Sequence, residues 1–191
     1  FLYQRIMDRY PKSVIGCFII SEDWDEQALL ELKEKSEAWF LVGLQIDDMD
    51  FDRLDIIEGI VKCQPEDVSQ VVKLLNISPR GLIGIDVVDI KSLFKCGNLF
   101  QFIQASAIGD SESDLIKVTA YEIVNQLSKA RHTKGLFIGM ESVQSLPIEV
   151  FAYIADAVER LVPNIDEDIY YRSSMTDEPN SFHLKAIYAE E

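Results

Sequence analysis

The chain has 191 residues, 48% of them hydrophobic, and its 33 acidic against 18 basic residues give a formal charge of −15. That length allows one large core or two modest ones. The charge excludes functions that rest on nucleic acid or anionic lipid, because both gain most of their binding energy when cations replace counterions. The longest apolar run, 38–46, is about half of what crosses a bilayer, and no signal peptide is visible. A cytoplasmic chain with no direct membrane insertion is expected.

Cys17, Cys63 and Cys96 are odd in number, widely spaced and free of C-x-x-C pairing, so buried thiols in a reducing compartment are expected. His132 and His183 have no Cys or His neighbour at zinc-ligand spacing, and no metal site is expected. The chain opens on Phe1 rather than Met, in a helix-like segment with Phe1, Leu2 and Ile6 on one side. That opening reads as a chain cut or processed within a longer protein.

In chain order, 14–20 and 39–46 are short continuous apolar runs, as strands buried on both faces require. Between them 25–35 has helical spacing at Ala28, Leu29 and Leu32, entered through the acidic Ser21–Asp25. Strand, helix, strand predicts a βαβ unit with a right-handed crossover. The spacing predicts a helix over 52–61, then a second helix opening at Pro65 and running to about Leu75. Ser78-Pro79 ends it, since the residue before proline is pushed out of the helical region.

Beyond that boundary, 82–85 reads as a short strand, 89–94 as a short helix, 96–98 as a turn and 99–107 as a long strand. Ser111 or Ser113 caps a helix to about Leu127, with Leu115, Val118, Ile123 and Leu127 inward. A strand over 135–140 follows, then a helix opened by Ser145 and Pro147 and ended by Pro163. The alternating segments 166–175 and 181–189 read as two strands joined by the turn-rich 176–180. Asp48-x-Asp50-x-Asp52 fails as a calcium loop, because the positions that need Gly and Glu hold Arg53 and Gly59. Tyr170, Tyr171 and Arg172 fall on a sheet by alternation, and no Ser/His/Asp or Cys/His arrangement is recognisable.

The sharpest motif is Gly81-Leu82-Ile83-Gly84-Ile85-Asp86-Val87-Val88-Asp89-Ile90-Lys91. It resembles, without a gap, the segment that reads G-L-I-N-V-D-F-A-D-V-K in the FtsZ/tubulin family. Gly97, the small residues 105–109, the strand at 134–138, the helix start at 146–150 and the last strand at 182–189 resemble successive elements of that family's C-terminal domain. Upstream, 14–20 and 39–46 resemble the last two strands of its nucleotide-binding domain.

The resemblance implies an α/β chain: a βαβ remnant of a parallel sheet, a connecting helix, then a four-stranded mixed sheet with helices packed on it. The divisions it implies are a partial nucleotide-binding segment over 1–64, a connecting helix and linker over 65–80, and a C-terminal-like domain over 81–191. In the family the motif enters the nucleotide pocket of the next subunit, where its acidic residues organise a cation and the attacking water. Carried over, the catalytic candidates are Asp86 and Asp89. The bland readings are that Asp89 is a helix N-cap worth about 1 kcal/mol and that Asp86 is a solvated turn residue. Gly84 stands where the family has Asn, which removes an amide from the loop.

The family cradles phosphate on a glycine-rich loop, whereas the nine glycines here are scattered, the closest being Gly81 and Gly84. No cofactor is expected to be bound by this chain alone; GTP and Mg²⁺ are implied for an intact assembly. The implied partner is another copy or an FtsZ-like protomer in a filament. The resemblance implies a cytoskeletal or cell-division fragment that supplies the activation loop; the alternative is a non-catalytic scaffold or filament-regulating domain.

Overall fold

The two apolar runs become β2 (Ile15–Ile19) and β3 (Phe40–Gln45), paired in parallel around α1 (Glu26–Ser36). This is seen in a computed structural model that describes residues 1–49, 51, 54–77, 85–130, 133–161 and 169–190. Asp25 starts α1, its carboxylate accepting from the Ala28 N–H at 2.7 Å. Leu29 and Leu32 are buried on the inner side of that helix. Trp39 is 67% exposed, so burial of the second run starts only at Phe40. The opening residues are not helical: β1 (Leu2–Tyr3) pairs in parallel with β2.

The helix expected over 52–61 is absent. Its described part carries β4 (Ile57–Lys62), parallel to β3. Leu54, Ile57 and Val61 mimic a helical stripe, but three β-branched residues among 57–61 suit a pleated surface better. Gly59 would also cost a helix about 1 kcal/mol relative to Ala. Asp50, Asp52 and Arg53 lie outside the described residues.

Pro65–Asp67 forms one 3-10 turn that leads into α2 (Val68–Leu75). Ser78, Pro79 and the segment 82–84 lie outside the described residues, and Ile85 is buried but belongs to no strand. Then follow α3 (Val87–Lys95), β5 (Leu99–Ile108), α4 (Glu112–Leu127), β6 (Thr133–Ser142), α5 (Ile148–Leu161), β7 (Ile169–Met175) and β8 (Ser181–Glu190). Ser111, not Ser113, caps α4. Val118 is 56% exposed, and the inner face runs instead through Leu115, Ile116, Thr119, Ala120, Ile123, Val124 and Leu127.

Among the described residues, eight strands form one sheet in the order β1-β2-β3-β4-β5-β8-β6-β7. β8 enters between β5 and β6 and runs antiparallel to both. β6 and β7 are parallel, so β7 and β8 are successive in the chain without being paired. Alternation sorts the side chains to two faces. α2 and α3 cover one, over Cys17, Val42, Val61, Phe100, Phe137 and Ile187. On the other, α1 covers Phe18, Leu41 and Ile60, while α4 and α5 cover Leu136, Ile138, Leu184 and Ala186. Each large apolar side chain buried this way contributes about 1.5–3 kcal/mol.

Candidate functional site

The two sequence candidates meet at the N-terminus of α3. Asp86 is the N-cap, with extended backbone, and its Oδ1 accepts from the Val88 N–H at 2.7 Å and the Asp89 N–H at 3.0 Å. Asp89, three residues on, returns the bond: its Oδ2 accepts from the Asp86 N–H at 2.9 Å. This is a capping box, in which both carboxylates satisfy orphan donors of the first turn. The N-cap is therefore Asp86, and Asp89 sits inside the helix. Asp86 is exposed and Asp89 half-buried. One oxygen of each carboxyl lies outside the cap.

The position of α3 follows from what it packs on. Ile90, Leu93 and Phe94 point into the core, and Phe94 meets Phe100 edge-on at 4.7 Å. The ring lies directly over the glycine of β4. A side chain at Gly59 would collide with it, and one at Gly135 would collide with Cys96.

A second polar group lies where the sheet extends past α2. Glu141 of β6 is held by two ammonium groups, Lys185 of β8 at 2.7 Å and Lys73 of α2 at 3.1 Å. Glu141 and Lys185 side chains are 7% and 3% exposed, while that of Lys73 is half in solvent. Burial works to raise the Glu141 pKa, but the bonds and charges of Lys185 and Lys73 outweigh it, and the carboxyl lies below its ordinary value. Burial pulls the Lys185 ammonium below its own, and Glu141 recovers only part of that. The two directions differ because the carboxylate faces two cations, whereas the ammonium, helped by Glu141 and more weakly by Glu178, is opposed by burial and by Lys73. At 2.7 Å the two side chains form an ion pair.

Around this pair, Arg172 Nη1 donates to the Leu74 carbonyl at the end of α2, and Gln104 Nε2 donates to Asp67 at its start. His183 lies between Ser106 Oγ at 2.8 Å and Glu178 at 2.8 Å. The hollow bounded by Lys73, Glu141, Glu178, His183 and Lys185 has a volume of about 250 Å³. Sequence reasoning missed this group. Its one local signal is Lys185, set between the apolar Leu184 and Ala186 in a strand whose other face is core.

Cys17 and Cys63 are buried free thiols, each pushed up to about 11 by burial, and Cys96 is half-buried, its thiol donating to the Ser92 carbonyl at 3.5 Å. His132 lies outside the described residues. Among the described residues no group of three or more His, Cys, Asp and Glu is placed to hold a metal ion, and no glycine has positive φ. No described helix is long and apolar enough to cross a membrane.

With this sheet order and these helix positions, the chain has an FtsZ/tubulin-type fold. No protein-family model and no curated protein sequence matches it. Among solved structures, CetZ from Methanosaeta thermophila superposes with a TM-score of 0.62 at 10% identity, covering 94% of this chain and 63% of that one. An empty FtsZ dimer from M. jannaschii gives 0.53 at 17% identity, covering 92% and 54%. TubZ from Bacillus thuringiensis serovar israelensis, solved as GDP-form protofilaments, gives 0.52 at 10% identity, covering 92% and 61%. The chain thus spans between 54% and 63% of the lengths of these three proteins.

Proposed function

We propose that the chain is a piece of a tubulin-like cytoskeletal protein, acting in the cytoplasm, whose α3 N-terminus is the activating face of a longitudinal filament contact. The observation that carries this reading is the Asp86–Asp89 pair at the surface, fixed by a capping box on a sheet of this fold. Two of the similar structures are a dimer and a protofilament, so proteins with this fold do associate with their own kind. The partner proposed here is another copy or an FtsZ-like protomer.

Among the described residues no glycine takes positive φ and no group of three or more His, Cys, Asp and Glu is placed for a cation, so this reading does not assign GTP or Mg²⁺ to the chain itself. In this reading the neighbouring protomer holds the nucleotide as its substrate. This chain contributes the oxygens of Asp86 and Asp89 that lie outside the cap. A carboxylate oxygen fixed at a helix start accepts a hydrogen bond from water and so orients it.

The test is to add the purified chain to a polymerising FtsZ-type GTPase and follow phosphate release and light scattering together. Release should rise, and Asp86→Asn with Asp89→Asn should abolish the rise, since Asn keeps the cap but not the charge. An unchanged rate, or a rise indifferent to both substitutions, defeats the proposal. The chain alone should show no GTP binding by titration calorimetry; a saturable micromolar site would contradict it. The capping box itself favours a second reading, a non-catalytic scaffold or filament cap, because it gives both aspartates a structural role. Under that reading filaments shorten equally with either form of the chain.

A further inference from the structure

Ser106 of β5 stands directly opposite His183 of β8 in their antiparallel ladder. Both side chains fall on the α2 face, an even number of residues from Phe102 and Ile187 of that core. His183 Nδ1 lies 2.8 Å from Ser106 Oγ. Its Nε2 lies 2.8 Å from a Glu178 carboxylate oxygen and 3.1 Å from Ser181 Oγ. These partners fix the roles of the two ring nitrogens. A carboxylate only accepts. The Ser181 hydroxyl donates to the Glu178 carbonyl at 2.7 Å, so it turns a lone pair toward Nε2. In the neutral imidazole the proton therefore sits on Nε2, and Nδ1 is the acceptor for the Ser106 hydroxyl.

A hydroxyl, a base that takes its proton, and a carboxylate that orients the base are the parts that activate serine in acyl transfer. Either ring nitrogen serves as the base once the other holds the proton. The His183 side chain is 13% exposed, whereas Ser106 is open to solvent. The hollow of about 250 Å³ beside them is lined by Lys73, Gln104, Glu141 and Lys185. It is smaller than a site for a drug-sized ligand and has polar walls, which suits a short acyl group. Lys73 and Lys185 carry one more charge than Glu141 cancels, and Glu178 is turned to His183. Positive charge there stabilises an acyl oxygen as it becomes negative.

We propose that Ser106, His183 and Glu178 form an acyl-transfer site for short-chain carboxylic esters. Ser106 Oγ bonds to the ester carbonyl carbon while its proton passes to Nδ1. The bond from that carbon to the alcohol oxygen then breaks, and Nδ1 returns the proton to the leaving oxygen. Water frees the acyl group in the same way: its oxygen bonds to the acyl carbon, its proton goes to Nδ1, and Nδ1 returns a proton to Ser106 Oγ as the acid leaves. Ser106 and His183 are the catalytic residues. Glu178 is a positioning residue, which holds the ring and balances its charge while both nitrogens are protonated. No step uses Asp86 or Asp89.

The test treats the whole chain with a tagged fluorophosphonate, in which serine oxygen bonds to phosphorus and fluoride leaves. Mass spectrometry should place the label on Ser106, and the chain in urea should not be labelled. Ser106→Ala, at an exposed position, should keep its melting temperature and lose the label. His183→Gln should slow labelling by about a hundredfold. Glu178→Ala should slow it too, and Glu178→Gln, whose amide oxygen still accepts from Nε2, should recover part of the rate. The parent chain should also turn over p-nitrophenyl acetate past the first equivalent, and Ser106→Ala should not. An unlabelled Ser106, a label on Ser181 instead, or equal labelling of folded and unfolded chain overturns the proposal. So does a labelling rate that is the same in the parent, His183→Gln and Glu178→Ala.

Discussion

A Cβ on Gly59 would stand 2.3 Å from Cδ1 of Phe94, so the glycine of one strand sets the seat of the helix that Asp86 caps. The ring has no room to withdraw, since it already meets Phe100 at 4.7 Å and Phe40 at 6.3 Å. Gly59→Ala should destabilise the chain by about 1–3 kcal/mol through overpacking. Urea unfolding measures this, and a substitution within about 0.5 kcal/mol of the parent would show that α3 is not seated as described.

The capping box makes a separable prediction for Asp86. Replacing it with alanine removes the acceptor for the Val88 and Asp89 N–H groups and should cost about 1 kcal/mol, whereas asparagine should cost a few tenths. Far-UV circular dichroism during urea titration follows both variants. Equal losses for alanine and asparagine would mean that charge at the helix N-terminus, not the cap, is what Asp86 provides.

How far the sequence could be read depended on how local the determining forces are. The runs at 14–20 and 39–46 are buried on both faces, so burial wrote itself directly into composition, and strands resulted. The segment 57–62 misled because helical spacing was imposed on it by chance, while the deciding contact, Phe94 over Gly59, comes from a residue 35 positions away. Val118 differs likewise: helical spacing groups it with Leu115, Ile123 and Leu127, but the buried face is centred on Ile116, Ala120 and Ile123 and leaves it outside. Asp86 and Asp89 stand out in the sequence through the motif, which puts the cap at Asp89; the cap is Asp86, and the three-residue capping-box spacing is the local signal for it. The Lys73–Glu141–Lys185 group was not legible. Its members come from α2, β6 and β8, and only the insertion of β8 beside β6 brings them together.

The thiols give a direct check on the core. Cys17 and Cys63 are buried, with pKa pushed up to about 11 by burial, so little thiolate exists near neutral pH. In native protein at about pH 8 a thiol reagent should leave both unmodified, and all three cysteines should react in denaturant. Mass spectrometry of the modified peptides identifies which react. Rapid native labelling of Cys17 would contradict its place between β1 and β3 in the sheet.

The Glu141–Lys185 pair predicts both a mutational and a pH effect. Glu141→Gln leaves a buried ammonium without its counter-charge and should destabilise by about 3 kcal/mol. Replacing both partners, Glu141→Leu with Lys185→Met, should return stability to within about 1 kcal/mol of the parent, because neither charge is then buried; Lys73 is half-exposed and can turn to water. For the pH effect, Glu141 in the folded chain lies below its ordinary value of 4.5, held there by Lys185 and Lys73 against the opposing pull of burial. The unfolded chain therefore binds its proton first as pH falls. The contribution is complete above about pH 4.5 and is lost as pH drops through the folded value. The melting-temperature gap between parent and Glu141→Gln should be widest near neutral pH and close progressively below about pH 4.5. A gap that stays constant into acid would mean that Glu141 acts through packing alone, without its charge.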